Sequence, residues 1–336
     1  MRAALFLLPL CLMAAPPAIA QQPGAGSAVG TAAPDAPDAP DAPDAPDADA
    51  APDADAIRRS RFSERPSDAA YGAFQRGYYI TALNLATPLA LQGDAAAQTL
   101  IGEIYSRGLG VRRDLATAIE WYEKAAEQKV PEALFQLAMI LHDGGEEFGD
   151  RPRAAKLIEE AADEGHGLAQ FNFAQMLAGD PQTMERAISY YEKAAKGGLA
   201  DAQYAMAEVF LRGVAGRPAD PAEARRWLAL AAAQNHDTAQ IALGTMLVEG
   251  GGGPGEEKEG FSWLMRAAHA GNPAAQNRVA KLYRAGIGVE PDRVEAAAWY
   301  LRARRAGLTD PVMEDQLDGL TDAEMAEARK RAGALG

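Results

Sequence analysis

The four histidines, His142, His166, His236 and His269, are the side chains whose chemistry must be settled first. A zinc site gathers about four such ligands. These four lie in different segments, without the close spacing of a ligand pair. Histidine at the C-terminal end of a helix interacts favourably with the helix dipole. We therefore expect structural histidines near helix ends or in loops, and no metal site.

Motifs for catalysis are equally sparse. The sequence contains no His-Glu-x-x-His, no Gly-x-Ser-x-Gly, no phosphate-binding loop and no Ser-x-x-Lys. The acidic pairs Glu146-Glu147 and Glu256-Glu257 fall in predicted loops and not in an apolar cleft. We therefore predict a protein that is not an enzyme and binds no cofactor. The alternative is an enzyme whose acid and base come from distant segments, about 5 to 10 Å apart in a cleft.

A repeated pattern organises most of the chain. A bulky residue followed by alanine four positions later recurs at steps of 36, 33, 37, 36 and 36 residues. These bulky residues are Trp121, Leu157, Tyr190, Trp227, Trp263 and Trp299. A fixed period of this size is typical of solenoids, in which neighbouring repeats share one core. We expect the bulky residues to fill the space between neighbouring repeats.

Each repeat predicts two helices. Between Asp94 and Val130, two runs of apolar residues at helical spacing are separated by Gly108 and Gly110. A small residue recurs at one place in each first helix: Gly102, Ala138, Ala174, Ala207, Gly244 and Ala280. This small residue would let the second helix of the repeat approach closely.

Glycine or asparagine at the repeat boundary predicts a left-handed residue that ends each second helix. The position holds Gly93, Gly165, Gly198, Asn235, Gly271 and Gly307. Lys129 is the one departure. Asp180 and Asp220, each followed by proline, are predicted to be helix N-caps. Thr321 and Glu324 have the spacing of a capping box.

The pattern Ile-Gly-x-Ile-Tyr-x-x-Gly-x-Gly-Val-x-x-Asp, closing with Ala-x-x-Trp-Tyr-x-x-Ala-Ala, is similar to the Sel1-like repeat, a relative of the tetratricopeptide repeat. The match is carried by Ile101, Gly102, Tyr105, Gly108, Gly110, Val111, Asp114, Ala118, Trp121, Tyr122, Ala125 and Ala126. The resemblance covers residues 67–308, as a partial leading repeat and six repeats. It implies an all-α, right-handed α-solenoid of helix pairs.

In related helical repeats, two positions of the first helix face the concave side. One position holds Thr99, Phe135, Phe171, Tyr204, Ile241 and Asn277, and the other holds Glu103, Met139, Gln175, Glu208, Thr245 and Lys281. These twelve residues would form a groove that binds a protein or peptide partner. The alternative is that the rings of Phe135, Phe171 and Tyr204 pack between adjacent first helices.

The ends of the chain differ from the repeats. Residues 1–20 carry an apolar run and end in Ala18-Ile19-Ala20, which predicts a signal peptide cleaved near Ala20. Residues 21–66, rich in Pro, Asp and Ala and basic at their end, predict a disordered linker. Residues 309–336 predict capping helices. Cys11, the single cysteine, lies in the signal peptide, so the mature chain has no disulfide.

The formal net charge of −14 disfavours nucleic acid as a partner. No segment after the signal peptide is long and apolar enough to cross a membrane. We therefore expect a periplasmic or secreted bacterial protein, a non-catalytic scaffold or regulator that binds a protein or peptide. The resemblance to periplasmic Sel1 proteins that restrain a sensor kinase implies envelope signalling. The alternative is an enzyme or accessory factor acting on cell-wall glycan or an antibiotic. The sequence leaves the oligomeric state open.

Overall fold

The computed structural model describes residues 67–250 and 254–334, and all regular structure in these ranges is helical. The predicted signal peptide and linker, residues 1–66, lie outside the described residues, as does the centre of the loop from Gly250 to Gly255.

The described residues form seventeen helices. They are α1 (Ser67–Gln75), α2 (Tyr79–Leu91), α3 (Ala95–Arg107), α4 (Leu115–Glu127), α5 (Pro131–Asp143), α6 (Gly145–Phe148), α7 (Arg151–Asp163), α8 (Gly167–Leu177), α9 (Met184–Lys196), α10 (Ala200–Arg212), α11 (Pro221–Ala233), α12 (Asp237–Glu249), α13 (Pro254–His269), α14 (Pro273–Ala285), α15 (Arg293–Arg305), α16 (Pro311–Asp318) and α17 (Asp322–Ala334).

The described residues divide into two compact parts, one up to Ala118 and one from Ile119 onward. In the first part, α1 packs on α2 and α2 packs on α3. In the second part, each long helix from α7 to α15 packs on the next helix in the sequence, α5 packs on α7, and α17 packs on α15. Contacts between neighbours in sequence are the mark of a solenoid, so the predicted all-α solenoid of helix pairs is confirmed.

The repeat boundaries adopt the predicted left-handed conformation. All seven boundary residues have positive φ, from 58° at Lys129 to 95° at Gly271. Gly165 illustrates the geometry: its N–H donates to the Ala162 carbonyl at 3.1 Å, and the next N–H donates to the Ala161 carbonyl at 2.9 Å. These bonds satisfy carbonyls that the helix end would leave unpaired. The prediction is therefore confirmed, and Lys129 adopts the same conformation without being glycine or asparagine.

Two of the three predicted helix starts are confirmed. Asp220 caps α11 by accepting hydrogen bonds from the N–H groups of the next helical turn, at 3.0 and 3.1 Å. Thr321 and Glu324 form the reciprocal capping box of α17, at 2.9 and 3.3 Å. The prediction for Asp180 is wrong because α9 begins later, at Met184. Asp180 instead accepts from the Gln182 N–H at 2.9 Å and stabilises a turn before the helix.

The small first-helix positions are buried in every repeat. The closest approach involves Gly244 on α12 and Gly260 on α13. A Cβ built on Gly244 would lie 2.7 Å from Leu264 Cγ and 2.8 Å from the Gly260 carbonyl oxygen. In the other five repeats the position of Gly260 is alanine: Ala118, Ala154, Ala187, Ala224 and Ala296. Helices α12 and α13 therefore pack closer than an alanine pair would permit.

Buried glutamines connect the repeats, a feature that our sequence analysis missed. The side-chain Nε2 of Gln98, Gln170, Gln203, Gln240 and Gln276 donates to the carbonyl oxygen of Ala90, Ala162, Ala195, Ala232 and Ala268, respectively, at 3.1 to 3.2 Å. Each carbonyl belongs to the last turn of the preceding second helix. The recurring Ala-Gln dipeptide was a visible signal for this contact; repeat two carries the buried Leu134 at the same position.

The bulky repeat residues are buried to different degrees. Leu157, Tyr190 and Trp299 are buried. Two of them contact the preceding repeat, because the Tyr190 hydroxyl donates to Asp163 and the Trp299 ring meets that of His269, so the predicted inter-repeat position is confirmed for Tyr190 and Trp299. The other three are half-buried: Trp121, Trp227 and Trp263. Lys124 lies 4.1 Å from the Trp121 ring centroid and Arg266 lies 4.8 Å from that of Trp263. Each cationic side chain thus lies against the face of a half-buried ring.

Candidate functional site

The twelve predicted groove residues all lie on first helices. Thr99 and Glu103 belong to α3 in the first compact part, where Thr99 Oγ1 donates to the Ala95 carbonyl at 2.8 Å and Glu103 pairs with Arg107 at 2.8 Å. The other ten lie in the second part. We call these ten the first-helix face: Phe135 and Met139 on α5, Phe171 and Gln175 on α8, Tyr204 and Glu208 on α10, Ile241 and Thr245 on α12, and Asn277 and Lys281 on α14.

Two aromatic residues of this face stack on histidines of the next first helix. Phe135 stacks on His166 with ring centroids 4.4 Å apart, and Tyr204 stacks on His236 at 5.1 Å. Phe135 is buried and Tyr204 is half-buried. The alternative of packing between adjacent first helices therefore describes Phe135 well, whereas Tyr204 keeps part of its ring at the surface.

His166 and His236 cap the N-termini of α8 and α12. The Nδ1 atom of each accepts the backbone N–H three residues later, at 3.1 Å. The hydrogen-bond network assigns the proton to Nε2, which faces Glu132 at 3.0 Å and Asp201 at 3.3 Å, respectively. Both histidines lie immediately before a helix, so the expectation that the histidines lie near helix ends or in loops is confirmed for these two. Their imidazole replaces the side-chain oxygen of an ordinary N-cap.

Two pKa shifts follow from these contacts. The hydrogen bond from His166 lowers the pKa of Glu132, which therefore stays ionised beside α8. Burial, reinforced by the nearby Glu208 carboxylate, raises the pKa of Tyr204 to about 12. Tyr204 consequently presents a neutral hydroxyl, able to donate a hydrogen bond at any physiological pH.

Polar contacts join most neighbouring first helices in the second part. The His166–Glu132 and His236–Asp201 contacts are followed by Asn272 Nδ2 donating to Asp237 Oδ2 at 2.8 Å. The junction between α8 and α10 is different, because the N-cap of α10 is Leu199. The position that holds Glu132 on α5 and Asp201 on α10 holds Leu168 on α8. Among the described residues, the α8–α10 junction therefore has leucines where the α5–α8, α10–α12 and α12–α14 junctions have polar contacts.

The C-terminal end of the first-helix face is already engaged by Asp310, the N-cap residue of α16. Asn277 Nδ2 donates to Asp310 Oδ2 at 2.8 Å, and Lys281 forms an ion pair with the same carboxylate. Asp310 also caps α16 by accepting from the Val312 N–H at 3.1 Å. Asn277 and Lys281 therefore hold the start of α16 in place. The remaining residues of the first-helix face lie on α5, α8, α10 and α12.

The Asp310 contacts predict a pH-dependent contribution to stability. Lys281 and Asn277 hold the pKa of Asp310 at about 2, below its usual 3.8. Because the folded pKa is lowered, the ionised form stabilises the fold above about pH 4, and this contribution is lost as the pH falls toward about 2. We expect Asp310→Asn to lower the free energy of unfolding by about 1 kcal/mol at pH 7 and by much less near pH 2.5.

Urea unfolding of both proteins at the two pH values measures this difference. Asp315→Asn, the same change at an exposed residue of α16, is the control and should show no such pH dependence. An equal loss for Asp310→Asn at both pH values would contradict the assignment.

A cleft of about 470 Å³ between α12 and α13 is lined by Asn235, Gln240, Ser262, Met265, Arg266, His269 and Ala270, and this lining includes no carboxylate. In residues 67–250 and 254–334, no group of three or more His, Cys, Asp or Glu side chains is placed to hold a metal ion. Within the same residues, no helix combines the length and apolar character needed to span a bilayer.

Solved structures of related proteins share this architecture. The Sel1 repeat protein from Oxalobacter formigenes is 29% identical to this chain, with a TM-score of 0.57 and 79% of each chain covered. A protective antigen of uropathogenic Escherichia coli with the SLR fold is 24% identical, with a TM-score of 0.50 and coverage of 83% of this chain and 70% of that one. The second likeness shows the fold alone.

Two curated proteins are similar over about half of this chain. Chitin synthase regulatory factor 3 of Schizosaccharomyces pombe is 29% identical over 182 residues, which cover 51% of this chain and 19% of that protein. An uncharacterized protein of Neisseria meningitidis serogroup B is 36% identical over 143 residues, which cover 43% of this chain and 30% of that protein. The chain therefore spans less than a third of either relative.

Six segments match the Sel1 repeat, at residues 95–130, 131–166, 168–199, 200–236, 238–272 and 273–308. They follow one another with almost no gap and span more than half of the chain. Each contains one of the helix pairs described above. This chain belongs to the Sel1 repeat family.

Proposed function

We propose that this protein is an exported, non-catalytic scaffold or regulator that holds a protein or peptide partner on the first-helix face. Sel1 repeats generally mediate protein–protein interaction, and the six repeats of this chain fit such a scaffold. The observation that carries the proposal is the alignment of Phe171, Tyr204 and Ile241, half-buried at the same position of three consecutive first helices. Such a row offers apolar contact to an extended segment laid across the helices.

Polar groups beside this row would orient a bound chain. Gln175 and Glu208 lie four residues beyond Phe171 and Tyr204, one helical turn along the same face. Glu208 pairs with Arg212 at 2.7 Å, and the Tyr204 hydroxyl remains protonated beside it. The edge of the apolar row therefore carries an amide, a carboxylate and a hydroxyl that can form hydrogen bonds with a bound chain.

Export and a regulatory role are parts of the proposal that rest on other grounds. Export rests on the signal-peptide pattern of residues 1–20. A regulatory role is supported by the Schizosaccharomyces pombe relative, which is named a regulatory factor, and by the resemblance to periplasmic Sel1 proteins that restrain a sensor kinase. On this basis we propose a role in envelope signalling.

Crosslinking in intact cells, followed by recovery of the full chain from the envelope fraction, tests the proposal. We expect Tyr204→Ala and Glu208→Ala each to reduce the recovered partner about tenfold, since a central contact contributes about 1.4 kcal/mol or more. Leu230→Ala is the matched control, because Leu230 is 50% exposed on the second helix α11. Undiminished recovery with both face variants would reject this binding surface.

A further inference from the structure

Helix α8 is the uncharged member of the first helices in the second part. Its eleven residues, GLAQFNFAQML, include no Asp, Glu, Lys or Arg. Leu168 is 47% exposed and Met176 is 50% exposed, with Gln175 also exposed and Phe171 half-buried. Leu168, Phe171 and Gln175 fall on one side of the helix at helical spacing. This side is an apolar patch with one amide at its edge.

Acidic side chains stand on both neighbours of this patch. Glu132 on α5 and Asp201 on α10 occupy the position that Leu168 occupies on α8, six residues before the small residue of each helix. The Glu132 side chain is 50% exposed and that of Asp201 is 58% exposed. Glu132 accepts from His166 and, at 2.7 Å, from the Gln136 side chain, and Asp201 accepts from His236. Each carboxylate oxygen can accept more than one hydrogen bond, so both groups can accept from a further donor.

The balance of charge around α8 is negative. Helices α5, α8 and α10 together carry four acidic residues, Glu132, Asp143, Asp201 and Glu208. Apart from His142, their one basic residue is Arg212. Arg212 is paired with Glu208. A segment crossing these helices therefore meets an acid, then an apolar patch, then a second acid.

The spacing of the helices sets the spacing of a complementary ligand. An α-helix with its side chains is about 10 to 12 Å across, so first helices that stand side by side are separated by about this distance. An extended chain advances about 3.3 Å per residue. One helix step thus equals about three residues. We propose that the α8 patch binds an extended peptide with an apolar side chain seated at Leu168 and a Lys or Arg three residues to each side, facing Glu132 and Asp201.

This proposal rests on the proposed function and names the chemistry of the partner segment. It also accounts for the missing polar contact between α8 and α10. A charged pair at that junction would fill the position where the apolar side chain is seated, whereas Leu168 and Leu199 leave an apolar surface. In this proposal α8 carries no charged residue because the apolar side chain of the peptide binds there.

Fluorescence anisotropy with the full chain and a labelled Gly-Arg-Ala-Ala-Leu-Ala-Ala-Arg-Gly peptide tests the proposal. We expect saturable binding that weakens at least tenfold when the peptide leucine is replaced by serine or both arginines by glutamate. Leu168→Lys should weaken binding at least tenfold, because it places a cation between the two peptide arginines. Leu230→Lys, the same change at an equally exposed leucine, should have no effect.

Glu132→Gln separates charge from shape, because glutamine keeps an acceptor for His166. We expect it to weaken binding severalfold and to reduce the dependence of affinity on salt. Equal binding of the arginine and glutamate peptides, or equal effects of Leu168→Lys and Leu230→Lys, would overturn the proposal. So would a dimer in sedimentation experiments that Leu168→Lys dissociates, because a second copy would then occupy the patch.

The two proposals fail in different ways. If Tyr204→Ala releases a crosslinked partner and Leu168→Lys does not, the face binds a partner but the chemistry assigned to α8 is wrong. If the peptide binds as expected and crosslinking in cells yields no partner dependent on Tyr204, the α8 site stands without the broader surface.

Discussion

Replacing Trp299 by alanine is expected to lower the free energy of unfolding by about 3 to 5 kcal/mol. The Trp299 side chain is 0% exposed and belongs to a core to which α13, α14, α15, α16 and α17 contribute. His269 of α13 meets its ring edge to face at 5.1 Å. Removing the ring leaves a large cavity at the last repeat junction, where relaxation is restrained on several sides.

Trp263→Ala is the matched control for Trp299. Trp263 holds the same repeat position but is half-buried, and its Nε1 lies 3.5 Å from Glu259 Oε1. We expect its removal to cost about 1 to 2 kcal/mol, since less surface returns to water. Guanidinium unfolding followed by circular dichroism measures both variants. A loss at Trp299 no larger than that at Trp263 would show that burial does not determine the contribution of this position.

Trp299→Phe gives a second, independent comparison. The buried Trp299 Nε1 has no hydrogen-bond partner among the described residues. Phenylalanine would keep much of the packing and remove a buried donor that costs about 1 to 3 kcal/mol unpaired. We therefore expect Trp299→Phe to be far closer in stability to the natural protein than Trp299→Ala.

Alanine at both Gly244 and Gly260 is expected to destabilise the protein by about 3 kcal/mol or more, although alanine is the commoner residue at these repeat positions. Helix propensity alone would favour each change by about 1 kcal/mol. The structure opposes it, because the new Cβ atoms would lie 2.7 to 2.8 Å from backbone oxygens of the facing helix. Each change forces α12 and α13 apart, and overpacking of this kind costs about 1 to 3 kcal/mol.

Gly72→Ala provides the opposite control. Gly72 lies within α1, and a Cβ built there would approach only the Arg76 guanidinium, at 3.9 Å. We expect this change to stabilise the protein by up to about 1 kcal/mol. Thermal unfolding of the natural protein, Gly72→Ala, Gly244→Ala and the double variant with alanine at Gly244 and Gly260 distinguishes overpacking from a gain in helix propensity. If Gly244→Ala and Gly72→Ala both stabilise, the close contact between α12 and α13 is not as the structure places it.

The sequence predicts features that depend on local chemistry. The left-handed boundary at Gly165, the cap at Asp220 and the small position at Ala174 each follow from a residue type recurring at the same place, and all three are confirmed. A left-handed backbone, a helix cap and a small side chain each depend only on the residue itself and its immediate neighbours. The repeat period is therefore enough to predict where such residues lie.

Features that depend on the neighbouring repeat could not be predicted in the same way. Nothing local distinguishes Trp299 from Trp263, whose burial is decided by what packs against each ring. To predict that His166 is an N-cap, one would need to know both where α8 begins and that Glu132 lies close enough to accept from the other ring nitrogen. The binding role of the first-helix face remains a prediction, because it depends on a partner.

The buried glutamines have a consequence for how this array can change in length. Gln203 and Gln240 each reach a carbonyl eight residues earlier in the chain, at Ala195 and Ala232. Excision of residues 200–236 would place Gln240 eight positions after Ala195, so the severed bond would re-form with a new donor. Insertions or deletions of one whole period therefore preserve this linkage, whereas a partial one breaks it. Gene duplication and unequal recombination can lengthen or shorten such a protein without redesigning its interior.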